Sequence, residues 1–151
     1  MLLDRAWIAA RIPHHGTMCL LDRVDEWDAE RVRCSAISHR AADNPLRAHG
    51  RLAAACGIEY AAQAMAIHGA LIAQESESGS SAPRQGYLAS ARSVQCHVGR
   101  LDDIAADLRI EVVRFSGDSN TILYDFSVHA DSHLDTRLLL AGRAAVFMTP
   151  R

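Results

Sequence analysis

The spacing of apolar residues along the chain shifts between a period near two and one near 3.6, and each shift marks a new element. Residues 4 to 10 fit a short helix that ends before Pro13, since the residue preceding a proline is pushed out of the helical region. "TMCLLDRVDEWD" then leads through a turn into "ERVRCSAIS", where Val32, Cys34, Ala36 and Ser38 alternate with Arg31, Arg33, Ser35 and Ile37. This is a hairpin pattern. From about Leu52 to Gln74 alanine dominates and Leu52, Cys56, Glu59, Gln63, Ala66 and Ala70 fall at three- and four-residue spacings, which predicts one long helix. Its apolar residues run nearly all the way round, as in a helix buried on most sides. "ESESGSSAPRQG", residues 75 to 86, reads as an exposed connection. Four strand-like segments follow at 87–98, 107–116, 120–130 and 138–149, separated by the turn signals "GRLDD", "GDSN" and "DSHLDT".

A strand pair, a long central helix and then longer strands is an α+β order within a single domain spanning residues 1–151. The economical packing wraps an antiparallel sheet of about six strands around the helix, which is the hot-dog arrangement. An open sheet of that kind is commonly completed by a second copy, so a dimer is expected by fold analogy.

Composition narrows the function. A net charge of -2 leaves no basic surface on which to base nucleic-acid binding. The four cysteines Cys19, Cys34, Cys56 and Cys96 form no CxxC and lie in apolar stretches, which suits buried thiols in a reducing, cytoplasmic compartment. The amino terminus carries acid and base early and does not reach the length of a spanning helix or resemble a signal peptide, so no membrane is expected.

One carboxylate, Glu59, stands inside the long helix among Ile58, Tyr60, Ala61, Ala62 and Ala66. An ionised carboxylate left in apolar surroundings costs roughly several kcal/mol unless it is paired or protonated. Gln63, one turn on, offers a hydrogen bond but no neutralising charge. Such surroundings keep a carboxylic acid protonated near neutral pH, as a general acid requires. The structural alternative is an ion pair with Arg47, Arg51 or Arg92. His49 precedes the helix in "RAHGRL", where Gly50 and Gly57 allow close backbone approach and helix-start amides can hold negative charge on an oxygen. A histidine there is placed to act as a base facing the glutamic acid, or it is a solvated loop residue. His14 and His15 follow Pro13 in a turn, His39 ends a strand, and His68 reads as a packed core residue. His129 and His133 have a zinc-helix spacing but fall at a strand end and lack the glutamate of HExxH, so no metal is expected. Nucleotide-binding and serine-hydrolase motifs are absent from the sequence.

"IPHHGTMCLLDRV" (12–24) and "GIEYAAQAMA" (57–66) resemble the hot-dog 3-hydroxyacyl-acyl carrier protein dehydratases. The same stretches with "DNPLR" are similar to the divergent ApeP-like branch associated with aryl polyene and xanthomonadin-type pigment clusters. The resemblance implies that Glu59 is the catalytic acid, that Gln63 helps orient the helix, and that a glycine amide, Gly57 here, binds the thioester oxygen. In that family a histidine takes the C2 proton of a 3-hydroxyacyl thioester, the acid protonates the departing hydroxyl, and the two residues meet across a dimer interface, with no cofactor. Family members carry Gly-His-Phe-Pro some fourteen residues before the glutamate; here that count falls on Pro45, beside Asn44, whereas His49 stands ten residues before Glu59. Three arrangements follow: His49 as base, Asn44 in the histidine's place as a substrate-binding residue, or a histidine from a partner hot-dog subunit in a heterodimer. The implied partner is an acyl carrier protein, with Arg47, Arg51, Arg84 and Arg92 as candidate contacts for its phosphopantetheine arm. The competing activities are an acyl-thioester hydrolase and a non-catalytic subunit of a heteromeric dehydratase.

Overall fold

Asp4 starts the first helix, α1 (Arg5–Ala9), by accepting the Trp7 N–H at 3.0 Å, and the helix buries Trp7 and Ile8. The computed structural model describes residues 3–75, 86–132 and 135–149. The strands are β1 (Arg23–Trp27), β2 (Arg31–Ala36), β3 (Gly86–Cys96), β4 (Leu108–Gly117), β5 (Thr121–Asp131) and β6 (Thr136–Met148). They form one sheet in the order β1-β2-β4-β5-β6-β3, and every neighbouring pair is antiparallel. The long helix, α2 (Gly57–Glu75), lies across β2, β4 and β5. Inward residues alternate along β2 and β5, where Val32, Cys34 and Ala36 meet Tyr124, Phe126 and Val128 in one core with Tyr60, Ala64, Ile67 and Leu71 of the helix. This is the hot-dog arrangement that the sequence pattern predicts.

Two boundaries differ for identifiable reasons. The first strand begins at Arg23 rather than near Thr17, because residues 16–18 form a 3-10 turn and the backbone at Met18 and Leu20 is bonded to the Gln63 side chain. The helix begins at Gly57 rather than Leu52, after a 3-10 turn over Ala54–Cys56. Leu52 stays extended because its N–H goes to Asp102 Oδ1 at 2.8 Å and its carbonyl accepts the Leu101 N–H at 2.8 Å. Arg100 and that leucine N–H together hold the Asp102 carboxyl far below the ordinary range. His39 sits in a 3-10 turn over Ser38–Arg40, beyond the strand it was expected to end.

β3 forms an edge and is exposed along nearly its whole length, with Tyr87 and Leu88 uncovered. Cys19 and Cys34 are buried, but Cys56 is only half-buried and Cys96, at the end of β3, is exposed. The expectation of four buried thiols therefore holds for two, since no second layer covers the β3 edge at Cys96 or the outward start of α2 at Cys56. The connection expected over 75–86 falls, apart from its end residues, outside the described residues, as do Arg84 and His133. No described helix is long and apolar enough to cross a membrane.

Candidate active site

α2 turns Tyr60, Ala61, Gln63, Ala64, Ile67, His68 and Leu71 toward the sheet. That choice leaves Glu59 on the opposite side. The expectation of a buried Glu59 is corrected by this geometry: in the single chain its side chain is exposed. The ion pair with Arg47, Arg51 or Arg92 is not formed either, and Glu59 has no hydrogen-bond or ion-pair partner among the described residues. The face around it is nonetheless apolar. Ala55 and Ala66 are exposed with Glu59, while Cys56, Ile58, Ala62, Gly69 and Ala70 are half-buried.

Beneath Glu59 the next residue, Tyr60, opens a buried polar seam. Its hydroxyl lies 2.8 Å from Ser38 Oγ and accepts from Asn44 Nδ2 at 3.1 Å. Ser38 Oγ donates to the Leu20 carbonyl at 2.8 Å, so its single hydrogen is committed and Tyr60 must be the donor to Ser38. Asn44 Nδ2 also donates to the Ser38 carbonyl at 2.9 Å, and its Oδ1 accepts the Leu46 N–H at 2.9 Å. One turn on, Gln63 Oε1 accepts the Leu20 N–H at 2.9 Å and Nε2 donates to the Met18 carbonyl at 2.7 Å. The first two turns of α2 thus hold residues 18–20 and 38–46 in place. Burial pushes the Tyr60 phenol up, so it keeps its donor hydrogen.

Asn44, expected to bind substrate, and Gln63, expected to orient the helix, have their amides engaged in this frame. Gly57 is placed by packing: a Cβ there would lie 2.6 Å from Leu140 Cδ2, so any larger residue would force that buried leucine to shift. Its N–H, the expected donor to a thioester oxygen, is turned back onto the carbonyls of Ala54 and Ala55. His49 occupies the tip of a tight turn closed by paired Ala48 and Arg51 backbones, with φ of 53° at His49 and 75° at Gly50. Two consecutive left-handed residues are the mark of a type I′ turn, whose second position suits Gly50. The His49 ring is exposed and has no hydrogen-bond partner among the described residues. The loop that carries it rests against the start of α2 through Asn44 and through Cys56 Sγ, 3.8 Å from the Leu46 carbonyl.

Two other histidines, His68 and His39, have structural employment. His68 Nε2 donates to the Asp28 carbonyl at 3.0 Å and Nδ1 accepts the Tyr124 hydroxyl at 2.9 Å. His39 Nε2 is shared between the carbonyls of Ile104 and Ala106, both at 3.0 Å. Burial lowers both rings below the ordinary histidine value. No cluster of metal-ligating side chains occurs among the described residues. A cleft of about 480 Å³ bounded by Trp27, Asp28, Leu71, Gln74 and Glu75 adjoins the C-terminal end of α2 and does not include Glu59. Tyr60 and Ser38 escape a reading by chemical type. Their signal is a hydroxyl directly after Glu59 on an alanine helix, and a serine continuing the inward register of Val32, Cys34 and Ala36 just past β2.

A family model described as ApeP dehydratase, of the ApeP-like family, matches residues 6–150. The dehydratase heterocomplex ApeI:P from Xenorhabdus doucetiae superposes with a TM-score of 0.80 at 21% identity, covering 95% of this chain and 91% of that one. A thioesterase family protein from Silicibacter pomeroyi gives 0.65 at 13% identity over 98% and 100% of the two chains. A thioesterase from Haemophilus influenzae gives 0.58 at 6% identity over 84% and 77%. At these identities the structural likenesses show the fold. No curated protein matches the sequence at a significant level.

Proposed function

The chain belongs to the ApeP-like dehydratase family, and from that premise we propose that it removes water from 3-hydroxyacyl thioesters carried on an acyl carrier protein, giving trans-2-enoyl thioesters in aryl polyene or fatty acid type biosynthesis. Glu59 is the acid that protonates the departing C3 hydroxyl. His49 is the base that takes the C2 proton, and the thioester oxygen sits at the N-terminal end of α2 near Gly57, the end at which a helix favours developing negative charge. Asn44 and Gln63 contribute by holding the surrounding backbone. Arg47, Arg51 and Arg92 are the candidate contacts for the phosphate of the carrier arm.

The observation that carries this reading is the composition of the outward face of α2. A helix face left to solvent is normally charged or polar, yet here it is alanine and glycine with Cys56 and Ile58, and Glu59 is its one charge before the terminal Glu75. Together with the bare edge of β3 this is an interior surface awaiting a cover. A second hot-dog subunit seated on it, identical or different, encloses Glu59 in apolar surroundings, and such surroundings favour the protonated carboxyl that a general acid needs. The heteromeric form has its own support: the His49 ring has no orienting hydrogen bond among the described residues, so a partner subunit supplies either that bond or the base itself. ApeI:P is itself a heterocomplex.

Incubating the chain with a 3-hydroxyacyl-acyl carrier protein, alone and with a co-encoded hot-dog partner, tests the reading. An enoyl product with loss of water is expected. Free acid with free thiol would show a hydrolase instead. Turnover by the single chain that survives His49→Ala and gains nothing from the partner would remove both assignments of the base.

A further inference from the structure

We infer that Tyr60 is a positioning residue for the dehydration, fixing the loop that carries His49 relative to Glu59 through a one-directional hydrogen-bond chain. This rests on the reading in which Glu59 is the acid and His49 the base. The chain runs from the Asn44 amide to the Tyr60 hydroxyl, on to Ser38 Oγ, and ends at the Leu20 carbonyl. Each donor hydrogen along it has one acceptor, so the chain has no alternative polarity. Asn44 then passes the constraint outward: its Oδ1 takes the Leu46 N–H, its carbonyl takes the Arg47 N–H at 3.1 Å, and the Ala48–Arg51 turn with His49 at its tip follows directly.

Tyr60 is adjacent to Glu59 in sequence but points the other way, into the core, where it is fully buried. One helical turn therefore presents the acid outward and anchors the opposing loop inward. Removing the Tyr60 hydroxyl leaves the ring packed and takes one acceptor from the Asn44 amide and one donor from Ser38 Oγ, while their bonds to the Ser38 and Leu20 carbonyls remain. The loop loses one tie to the start of α2 and is loosened while the helix stays in place. Loss of registration of this kind degrades the geometry of proton transfer, because reacting groups must be held within fractions of an ångström.

The experiment compares Tyr60→Phe, Ser38→Ala, Ser38→Thr and the Tyr60→Phe/Ser38→Ala double variant in the assembled dehydratase, with a 3-hydroxyhexanoyl thioester on acyl carrier protein as the probe and Glu59→Gln as the reference. Tyr60→Phe and Ser38→Ala should each lower kcat about tenfold with KM within about twofold. The double variant should be no worse than either single one, because both cut the same chain, and Ser38→Thr, which keeps the hydroxyl, should retain turnover. Hydrogen exchange should rise at the amides of residues 46–51 while those of Ala64 to Leu71 stay protected. Unchanged kcat, additive losses, or a loss that merely follows the fraction folded would overturn the inference while Glu59→Gln remains inactive. Full activity in Glu59→Gln would instead remove the reading beneath it.

Discussion

Replacing Gln63 with leucine is the sharpest test of how α2 is held in its cradle. Gln63 is 1% exposed and supplies both an acceptor and a donor to one segment, at Leu20 N and the Met18 carbonyl. Leucine fills the same space and offers neither. The Leu20 N–H is left in a buried setting, with the residue itself 1% exposed, and an unpaired buried donor costs about 1–3 kcal/mol. Met18 is 39% exposed, so its carbonyl can turn to water at little cost. The expected destabilisation is thus about 2 kcal/mol, or a fall in Tm of roughly 4–8 °C for a domain of this size. Urea unfolding followed by helical circular dichroism should show a lower midpoint with an unchanged slope. Gln63→Glu gives the informative contrast. As a carboxylate it accepts from Leu20 but repels the Met18 carbonyl, whereas the protonated form restores one acceptor and one donor. Its stability should therefore recover toward that of the parent protein as pH falls. A loss under about 0.5 kcal/mol in Gln63→Leu, or a pH-independent Gln63→Glu, would refute the reasoning.

Gly57→Ala drives a methyl into Leu140 and should cost about 1–3 kcal/mol despite the better helix propensity of alanine; in a Leu140→Ala background that cost should vanish, as measured by a double-mutant unfolding cycle. His39 and His68 are held neutral by burial, so the folded state binds fewer protons than the unfolded chain once pH drops below the ordinary histidine value of 6.5. Stability should be flat above that value and decline as pH falls toward the depressed folded values, and a urea midpoint that rises over the same interval would contradict it. Leu88→Arg, on the bare β3 edge, should leave the isolated chain within about 0.5 kcal/mol of its parent yet weaken association with a second hot-dog subunit in sedimentation velocity.

The C-terminal strands were legible because turn signals separate them: all four fall within two residues of the expected bounds. The start of α2 was not, because Leu52 and Ala53 have helical neighbours in sequence but take their hydrogen bonds from the distant 99–102 segment. Glu59 stands out in the sequence as an anomaly, but its expected place in the core is corrected by the exposed side chain. An all-round apolar helix looks the same in sequence whether its outer face meets its own chain or another one. The roles of Asn44 and Gln63 depend on partners sixteen to forty-five residues away, which spacing alone cannot reveal.

The central claim is that an exposed Glu59 becomes a working acid only when a second hot-dog subunit covers the outward face of α2. Turnover of a 3-hydroxyacyl-acyl carrier protein thioester, measured for the parent chain and for Glu59→Gln over a titration of the partner subunit, addresses it directly. Enoyl product should rise with partner up to a stoichiometric plateau for the parent chain and stay at background for Glu59→Gln. Equal plateaus for the two, with assembly intact, would contradict the account.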